Sequence, residues 1–268
     1  DAFERLPAAA DFTILFLDQL KPLERRVLLE RNVITQEFSL ARGKAIALGR
    51  QTGVTAMINE EDHLRISCIR EGLALEEALI DVDRLDSMLE EALSFAISME
   101  WGYLNPSLEN VGTGMRASLM LHLPALVMTG LIDKAMKAIT EVGLGVKGFF
   151  SDGDASLGDM YQISNQATLG VGEKGIVDAL VNMVTPLVQY ERKAREELRE
   201  RQRVDLEDRV WRAYGILTNC RSIASREAMD HLSSLRLGAS LGLVEGLSLE
   251  TVTELFFLSQ KYHVQQAL

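Results

Sequence analysis

The sequence predicts an α+β protein, and three observations carry that prediction. As far as about Thr185, helical apolar periods alternate with short strand-like runs and Gly-containing turns. Beyond Pro186 nearly every window carries a helical period. Only 5 prolines, and no repeats or low-complexity tracts, interrupt the 268 residues, which suits a compact fold with few linkers. The length allows one large domain and a smaller one at roughly 150 residues each, and the boundary is placed near Arg203, giving segments 1–203 and 204–268.

Taken in order, Val54–Ile58 and His63–Cys68 read as short strands flanking the acidic turn Asn59-Glu60-Glu61-Asp62. Asp86–Ala96 carries Met88, Leu89, Ala92, Leu93 and Ala96 on one helical stripe. After Gly112 and Gly114, Arg116–Leu121 reads as the opening of an apolar helix that Pro124 interrupts. Leu131–Glu141 reads as a helix ended by Gly143 and Gly145, and Val146–Phe150 pairs with Met160–Ser164 as strands. Glu191–Arg203 is charged on every face and reads as a solvated connector helix. Arg209–Leu217 and Arg226–Leu235 restore apolar stripes through Val210, Ala213, Tyr214, Leu217 and Ala228, Met229, Leu232, Leu235.

Composition narrows the function. With 28 basic and 39 acidic side chains the net charge is −11, which argues against a broad phosphate-tracking nucleic-acid surface. No run approaches the ~18 apolar residues of a membrane span. Residues 1–19 show no basic-then-apolar signal segment. Cys68 and Cys220 are too few for a disulfide scaffold, so a reducing cytoplasm is expected.

Four stretches could carry chemistry, and each has a plain structural alternative. Asn59–Arg65 is either a solvated hairpin turn or a carboxylate aimed into a cleft beside an anion-binding Arg65. Asn110–Ser118 is either a helix start with one structural arginine or a glycine loop presenting N–H groups to phosphate; it is neither a Walker A loop nor a Rossmann fingerprint. Gly145–Asp154, with Ser156 beyond it, spaces Asp152, Asp154 and Ser156 like a calcium loop, but Leu157 and Ile163 stand where Gly and Glu are required, which excludes calcium. That leaves either an ordinary polar turn or a basic Lys147 near an acidic loop. Leu232–Gly242 is core patterning in which Arg236 needs a partner. The histidines at 63, 122, 231 and 263 lack ligand spacing, so zinc is not expected.

Together and in this order the motifs resemble the ATP:guanido phosphotransferase family. The residues that carry the resemblance are Asn59-Glu-Glu-Asp-His-Leu-Arg65, Trp101-Gly-Tyr-Leu104, Asn110-Val-Gly-Thr-Gly-Met-Arg-Ala-Ser118, His122-Leu-Pro-Ala-Leu126, Gln162-Ile-Ser-Asn-Gln166 and Thr168-Leu-Gly170. Leu206–Leu217 and Leu235-Arg-Leu-Gly238 resemble the helical C-terminal domain of its bacterial McsB-type protein-arginine kinases.

The resemblance implies a mainly antiparallel sheet flanked by helices, then a small all-helical domain. It implies transfer of the ATP γ-phosphoryl group, as Mg-ATP, to arginine in protein substrates with exposed arginine. An adaptor, a Clp-type protease that receives the marked proteins, and a homodimer are implied as partners; nucleic acid and membrane are not. By motif position Glu61 matches the first catalytic carboxylate, Asp152 the second, and Ser107 the reactive-cysteine position. Arg65, Arg116 and Lys147 fall on phosphate-binding positions. Ala117, Ser118, Leu119 and Met120, with Gly148, Phe149, Phe150 and Ser151, line the nucleotide, and Asn32 stands where the family has a nucleotide-contacting histidine.

Four of these positions depart from the family: Ser107 replaces Cys, Lys147 replaces Arg, Asp152 replaces Glu and Asn32 replaces His. The family's Ser-Ser-Arg-x-Arg segment is expected before Asp1 and its Arg-Asp-x-x-Arg-Ala segment after Leu268. The expectation is an arginine kinase with an altered site. The alternative is a catalytically impaired relative that binds ATP, phosphoarginine or a partner kinase or adaptor.

Overall fold

The computed structural model describes residues 2–6, 11–50, 53–148 and 156–268. They fall into two compact units, residues 1–117 with 167–181 and residues 118–166 with 182–268, and each unit is described by itself.

The first unit is built on a four-stranded antiparallel sheet. Helix α1 (Ala2–Arg5), β1 (Phe12–Phe16), α2 (Pro22–Glu30), α3 (Gln36–Leu40), β2 (Ala45–Gly49), β3 (Val54–Glu60), β4 (His63–Cys68), α4 (Leu75–Glu90) and the two-residue strands β5 (Ile97–Ser98) and β6 (Gly102–Tyr103) follow in order. Sheet order is β1-β2-β3-β4. Strand β2 reads Ala-Ile-Ala-Leu-Gly without alternation because both its faces are covered. On one face Ala47, Val54 and Ala56 pack with Leu85 and Leu89 of α4. On the other, Ile46 and Met57 pack with Leu17, Ile34 and Phe38. Thr35 caps α3, its Oγ1 accepting the Phe38 N–H at 3.2 Å.

The hairpin of β3 and β4 follows the two strand-like runs around the acidic turn. Its register runs from Val54 opposite Cys68 to Glu60 opposite His63, with an irregularity between Ile58 and Glu60. The expected helix over Asp86–Ala96 is corrected to α4, which starts at Leu75 and stops at Glu90. Ala74 supplies no side-chain cap at its start, which leaves Glu76 and Glu77 in the first turn as the signal for that end.

The second unit contains β7 (Ser118–His122), α5 (Pro124–Met128), α6 (Ile132–Glu141), β8 (Leu144–Gly148), β9 (Met160–Asn165), the Asn182–Arg201 part of α7 (Glu173–Arg201), α8 (Arg203–Asn219), α9 (Ser225–Ser240), α10 (Leu249–Leu258) and α11 (Lys261–Ala267). Strands β8 and β9 pair antiparallel as expected, with β7 on the other side of β9. Met160, Val210, Met229, Leu232, Val252 and Phe256 form the core of this unit. Gly238 of α9 sits where a Cβ would come within 2.3 Å of Val210 Cγ1, so α8 and α9 approach too closely for any larger residue. Among the described residues no helix is long and apolar enough to cross a membrane.

Three expectations fail in this unit. Arg116–Leu121 does not open a helix: Ser118–His122 is strand, held by five pairs with β9, and Pro124 starts α5 at its first turn instead of interrupting a helix. Pro186 does not begin the helical part, because it lies inside α7. Glu191–Arg203 is not a solvated connector, since Glu191, Ala194 and Leu198 are buried on one face of α7.

That buried face belongs to a polar network. Ser233 Oγ donates to Asp159 Oδ2 at 2.5 Å, so the 2.9 Å contact between His122 Nε2 and Ser233 Oγ makes Nε2 the donor. Nδ1 then carries no proton and has no partner among the described residues. Burial, with Arg236 and Arg195 nearby, holds the His122 pKa well below the usual value. An unfolded histidine protonates near pH 6.5. Below that value the unfolded chain takes up a proton that the folded chain refuses, so stability falls as pH falls through about 6.5, by at most ~1.4 kcal/mol per pH unit. Urea midpoints between about pH 7.5 and 5.5 should therefore drop more steeply in the native protein than in His122→Gln. Equal slopes would remove His122 as the cause.

Candidate active site

The first unit carries Asn32, Glu61, Arg65, Ser107, Arg116 and Ala117 of the predicted site. The second carries Ser118, Leu119, Met120, Lys147 and Gly148. Phe149, Phe150, Ser151 and Asp152 lie outside the described residues.

Glu61 sits at the exposed apex of the turn joining β3 to β4, where its N–H contacts the Glu60 carboxylate. Two non-glycine residues with positive φ bracket the turn, Asn59 at 64° and His63 at 68°. Such backbone persists only where the surroundings over-determine it, and here they do so from both sides. Asn59 Nδ2 donates to Gly43 O at 2.8 Å. On the other side, Asp62 Oδ1 accepts the Ser107 N–H at 3.2 Å, and Asp62 Oδ2 accepts Asn110 Nδ2 at 2.5 Å. Asn110 O in turn accepts Asn105 Nδ2 at 2.6 Å. One carboxylate thus ties the Glu61 turn to the loop that carries Ser107.

Sequence reasoning missed Asp62, because three adjacent acids read as mutual repulsion. The only signal for it was the amide pair Asn105 and Asn110, two short polar side chains able to bond the backbone locally. Ser107 is half-buried and precedes a short 3₁₀ turn, Leu108–Asn110. Arg65 is exposed on β4 opposite Met57. Asn32 is exposed after α2 with φ 56°.

The glycines of Asn110–Gly114 serve a different purpose from the one a helix start would give them. The Tyr103 N–H donates to Gly112 O at 2.8 Å and the Thr113 N–H to Thr168 O at 2.9 Å. A Cβ on Gly112 would lie 2.2 Å from Thr168 O, and its φ is +111°. The loop therefore needs glycine for close backbone packing. Thr168 Oγ1 reaches Glu109 O at 2.9 Å and Val111 O at 2.8 Å, locking the same loop. Arg116, three residues beyond Thr113, is exposed, and Ala117 is buried.

In the second unit β7 alternates, so Ser118 and Met120 share one face while Leu119 is buried on the other. Lys147 is exposed on β8 opposite Gln162, and Gly148 ends that strand opposite Tyr161.

This architecture matches solved guanidino kinases. The duplicated taurocyamine kinase from Schistosoma mansoni superposes with a TM-score of 0.62 at 22% identity, over 72% of this chain and 28% of that one. Lombricine kinase superposes with a TM-score of 0.61, also at 22% identity, over 71% of this chain and 56% of that one. The fold is that of this class of kinase. The family model for the ATP:guanido phosphotransferase C-terminal catalytic domain matches residues 1–194, and that for the protein-arginine kinase McsB C-terminal domain matches residues 203–268. The chain belongs to the ATP:guanido phosphotransferase family. Among its relatives, the protein-arginine kinase of Bacillus licheniformis is 43% identical over 97% of this chain and 72% of its own length. That of Halalkalibacterium halodurans is 44% identical over 95% of this chain and 72% of its own.

Proposed function

We propose that the chain transfers the γ-phosphoryl group of ATP to a guanidinium nitrogen of arginine in protein substrates. The observation that carries this reading is the doubly pinned turn that holds Glu61, in a chain whose 40–44% identical relatives are protein-arginine kinases. In the reaction the bond from the γ-phosphorus to the bridging oxygen breaks, a nitrogen–phosphorus bond forms, and ADP leaves. A protonated guanidinium is a poor nucleophile, so its attacking nitrogen must lose a proton as it attacks. Glu61 aligns the guanidinium and takes that proton. Arg65 and Arg116 match phosphate oxygens with planar forks; Lys147 adds a point charge, and Asp152 acts as the second carboxylate.

Mg²⁺ bound with the nucleotide would neutralise charge on the ATP phosphates. Among the described residues no three His, Cys, Asp or Glu side chains gather into a metal cage. Ser107 keeps a small polar group at the reactive position but supplies no thiolate. This reading extends to a role in cytoplasmic protein quality control, with a Clp-type protease receiving the marked proteins, as the family resemblance implies.

The test is mass spectrometry of phosphoarginine after incubating the protein with Mg-ATP and an arginine-rich unfolded substrate. Phosphoarginine above a no-enzyme control supports the reading. ATP binding without product would move it to a regulatory relative that has lost catalysis.

Asp62 offers a sharper check on the site. Asp62→Ala frees both the Ser107 N–H and the Asn110 amide, and a shift of about 1 Å at a reacting group can lower kcat on the order of 100-fold. The expected outcome is a fall in kcat of roughly that size, a smaller change in the KM for ATP, and partial rescue in Asp62→Asn. Unchanged kcat would show that the turn holds its position without Asp62.

A further inference from the structure

One face of the first unit carries apolar side chains that nothing in that unit covers. A cleft of about 350 Å³ opens between the β5–β6 hairpin, the Gly112–Thr113 loop and the segment from Thr168 to Glu173. Ile97 and Trp101 line one side at 52% and 48% exposure, and Leu169 and Val171 the other, each at 46%. Single exposed apolar residues are ordinary, but four around one concavity mark a docking surface.

Charge selects the occupant. Among the described residues, the two charged side chains that line the cleft are Glu100 and Glu173, and no basic one lines it. Tyr103, also in the lining, donates its hydroxyl to Asp86 Oδ2 at 2.9 Å and lies 3.1 Å from Glu90 Oε1. Asp86 is pushed up first by burial, against the Tyr103 hydrogen bond, and further by Glu90, Asp83 and Glu173. The cleft is thus apolar in its walls and negative in its field. An exposed indole beside two carboxylates suits a cation on an apolar stem, which is an arginine or lysine side chain flanked by apolar neighbours.

We propose that this cleft docks a basic, apolar-flanked segment of the protein substrate, next in its chain to the arginine that is phosphorylated. The identity of the occupant rests on the proposed function; the chemistry of the cleft does not. Continuity supports the assignment. The Tyr103–Gly112 bridge at the cleft closes the loop that carries Ser107 and Asn110, the same loop held by Asp62. A substrate needs such a second contact when only one of its side chains enters the reacting centre, because binding remote from the chemistry supplies the orientation.

The chain has 2 tryptophans, so Trp211→Phe leaves Trp101 as the sole indole reporter. In that background a short peptide alternating arginine and leucine should change Trp101 fluorescence with an affinity that weakens with salt. The same peptide with glutamate for arginine should give no change. Glu100→Gln combined with Glu173→Gln, both at exposed positions, should weaken the arginine peptide about tenfold. In kinetics, those substitutions should raise the KM of the arginine–leucine peptide about ten times more than that of acetyl-arginine amide.

Equal response to the glutamate peptide, or a Trp101 signal blind to both peptides, would overturn the proposal. A Trp101 signal that followed protein concentration alone would also overturn it, by giving the cleft to a second copy. Failure of the proposed function would read differently: the native protein would make no phosphoarginine while the fluorescence titration still reported docking.

Discussion

Glu61→Gln is expected to lower phosphoarginine formation by at least about 100-fold while leaving ATP affinity within about twofold, since a positioned general base contributes roughly 10²–10⁴. The amide keeps the size and one acceptor of the carboxylate but cannot take a proton from the guanidinium or balance its charge. ATP affinity should survive because the residues assigned to the phosphates, Arg65 and Arg116, stand elsewhere on the chain. The turn itself should also survive: its two ties run through Asn59 and Asp62, and Glu61 contributes only its backbone N–H. Phosphoarginine counted by mass spectrometry, beside an equilibrium ATP titration, separates the two effects. Turnover within about threefold of the native protein would remove Glu61 as the base, whatever the fate of ATP binding.

The contrast between Glu61 and Asp62 shows how far the sequence could be read. Glu61 was assigned through the order of weak motifs, not through any local property, because an acidic turn between two strands has an ordinary explanation. Asp62 was invisible because its value lies in contacts 45 and 48 residues away. The same division runs through the fold. The β3–β4 hairpin was legible because two short strand-like runs flank a polar acidic turn, whereas β2 was not, being buried on both faces. Ser118–His122 is rich in Ser, Leu and Met, which gives no strand signal. Pairing with β9 decides its state, and that pairing is non-local. The loop over Asn110–Gly114 was read as a helix start or a phosphate-presenting glycine loop, and the structural need for Gly112 was not visible. Gly112 lets two backbones touch at Thr168, a closeness that no sequence window contains. The charge count misled most in α7. Its buried positions Val184, Leu187, Glu191, Ala194 and Leu198 recur at three- and four-residue spacing, so the apolar stripe was present and a single glutamate within it concealed the pattern.

That glutamate leads to the largest stability effect expected in the molecule. Glu191 is 3% exposed, yet its carboxylate is fully engaged. Oε1 accepts the Ala125 N–H at 3.1 Å and Oε2 the Leu126 N–H at 2.9 Å, two of the donors left free at the start of α5. Arg195 Nε donates to Oε1 at 2.7 Å, and the rest of that guanidinium donates to Ser240 Oγ and His122 O, both at 3.0 Å. Burial pushes the Glu191 carboxyl up, while Arg195 and the two N–H groups pull it down. Removing Glu191 would leave a largely buried guanidinium without its counter-charge and two buried N–H groups without an acceptor. Glu191→Ala should therefore cost about 3–5 kcal/mol, read as a lowered urea midpoint at constant slope. Glu191→Gln should cost less, because an amide oxygen still accepts one N–H. The decisive arm is the double variant Glu191→Leu with Arg195→Met. It removes both charges together and should recover much of the loss, since a buried pair replaced by packed apolar groups is often neutral. A single-variant loss below about 1 kcal/mol, or a double variant as unstable as the sum of its singles, would mean that the pair does not anchor α5 to α7.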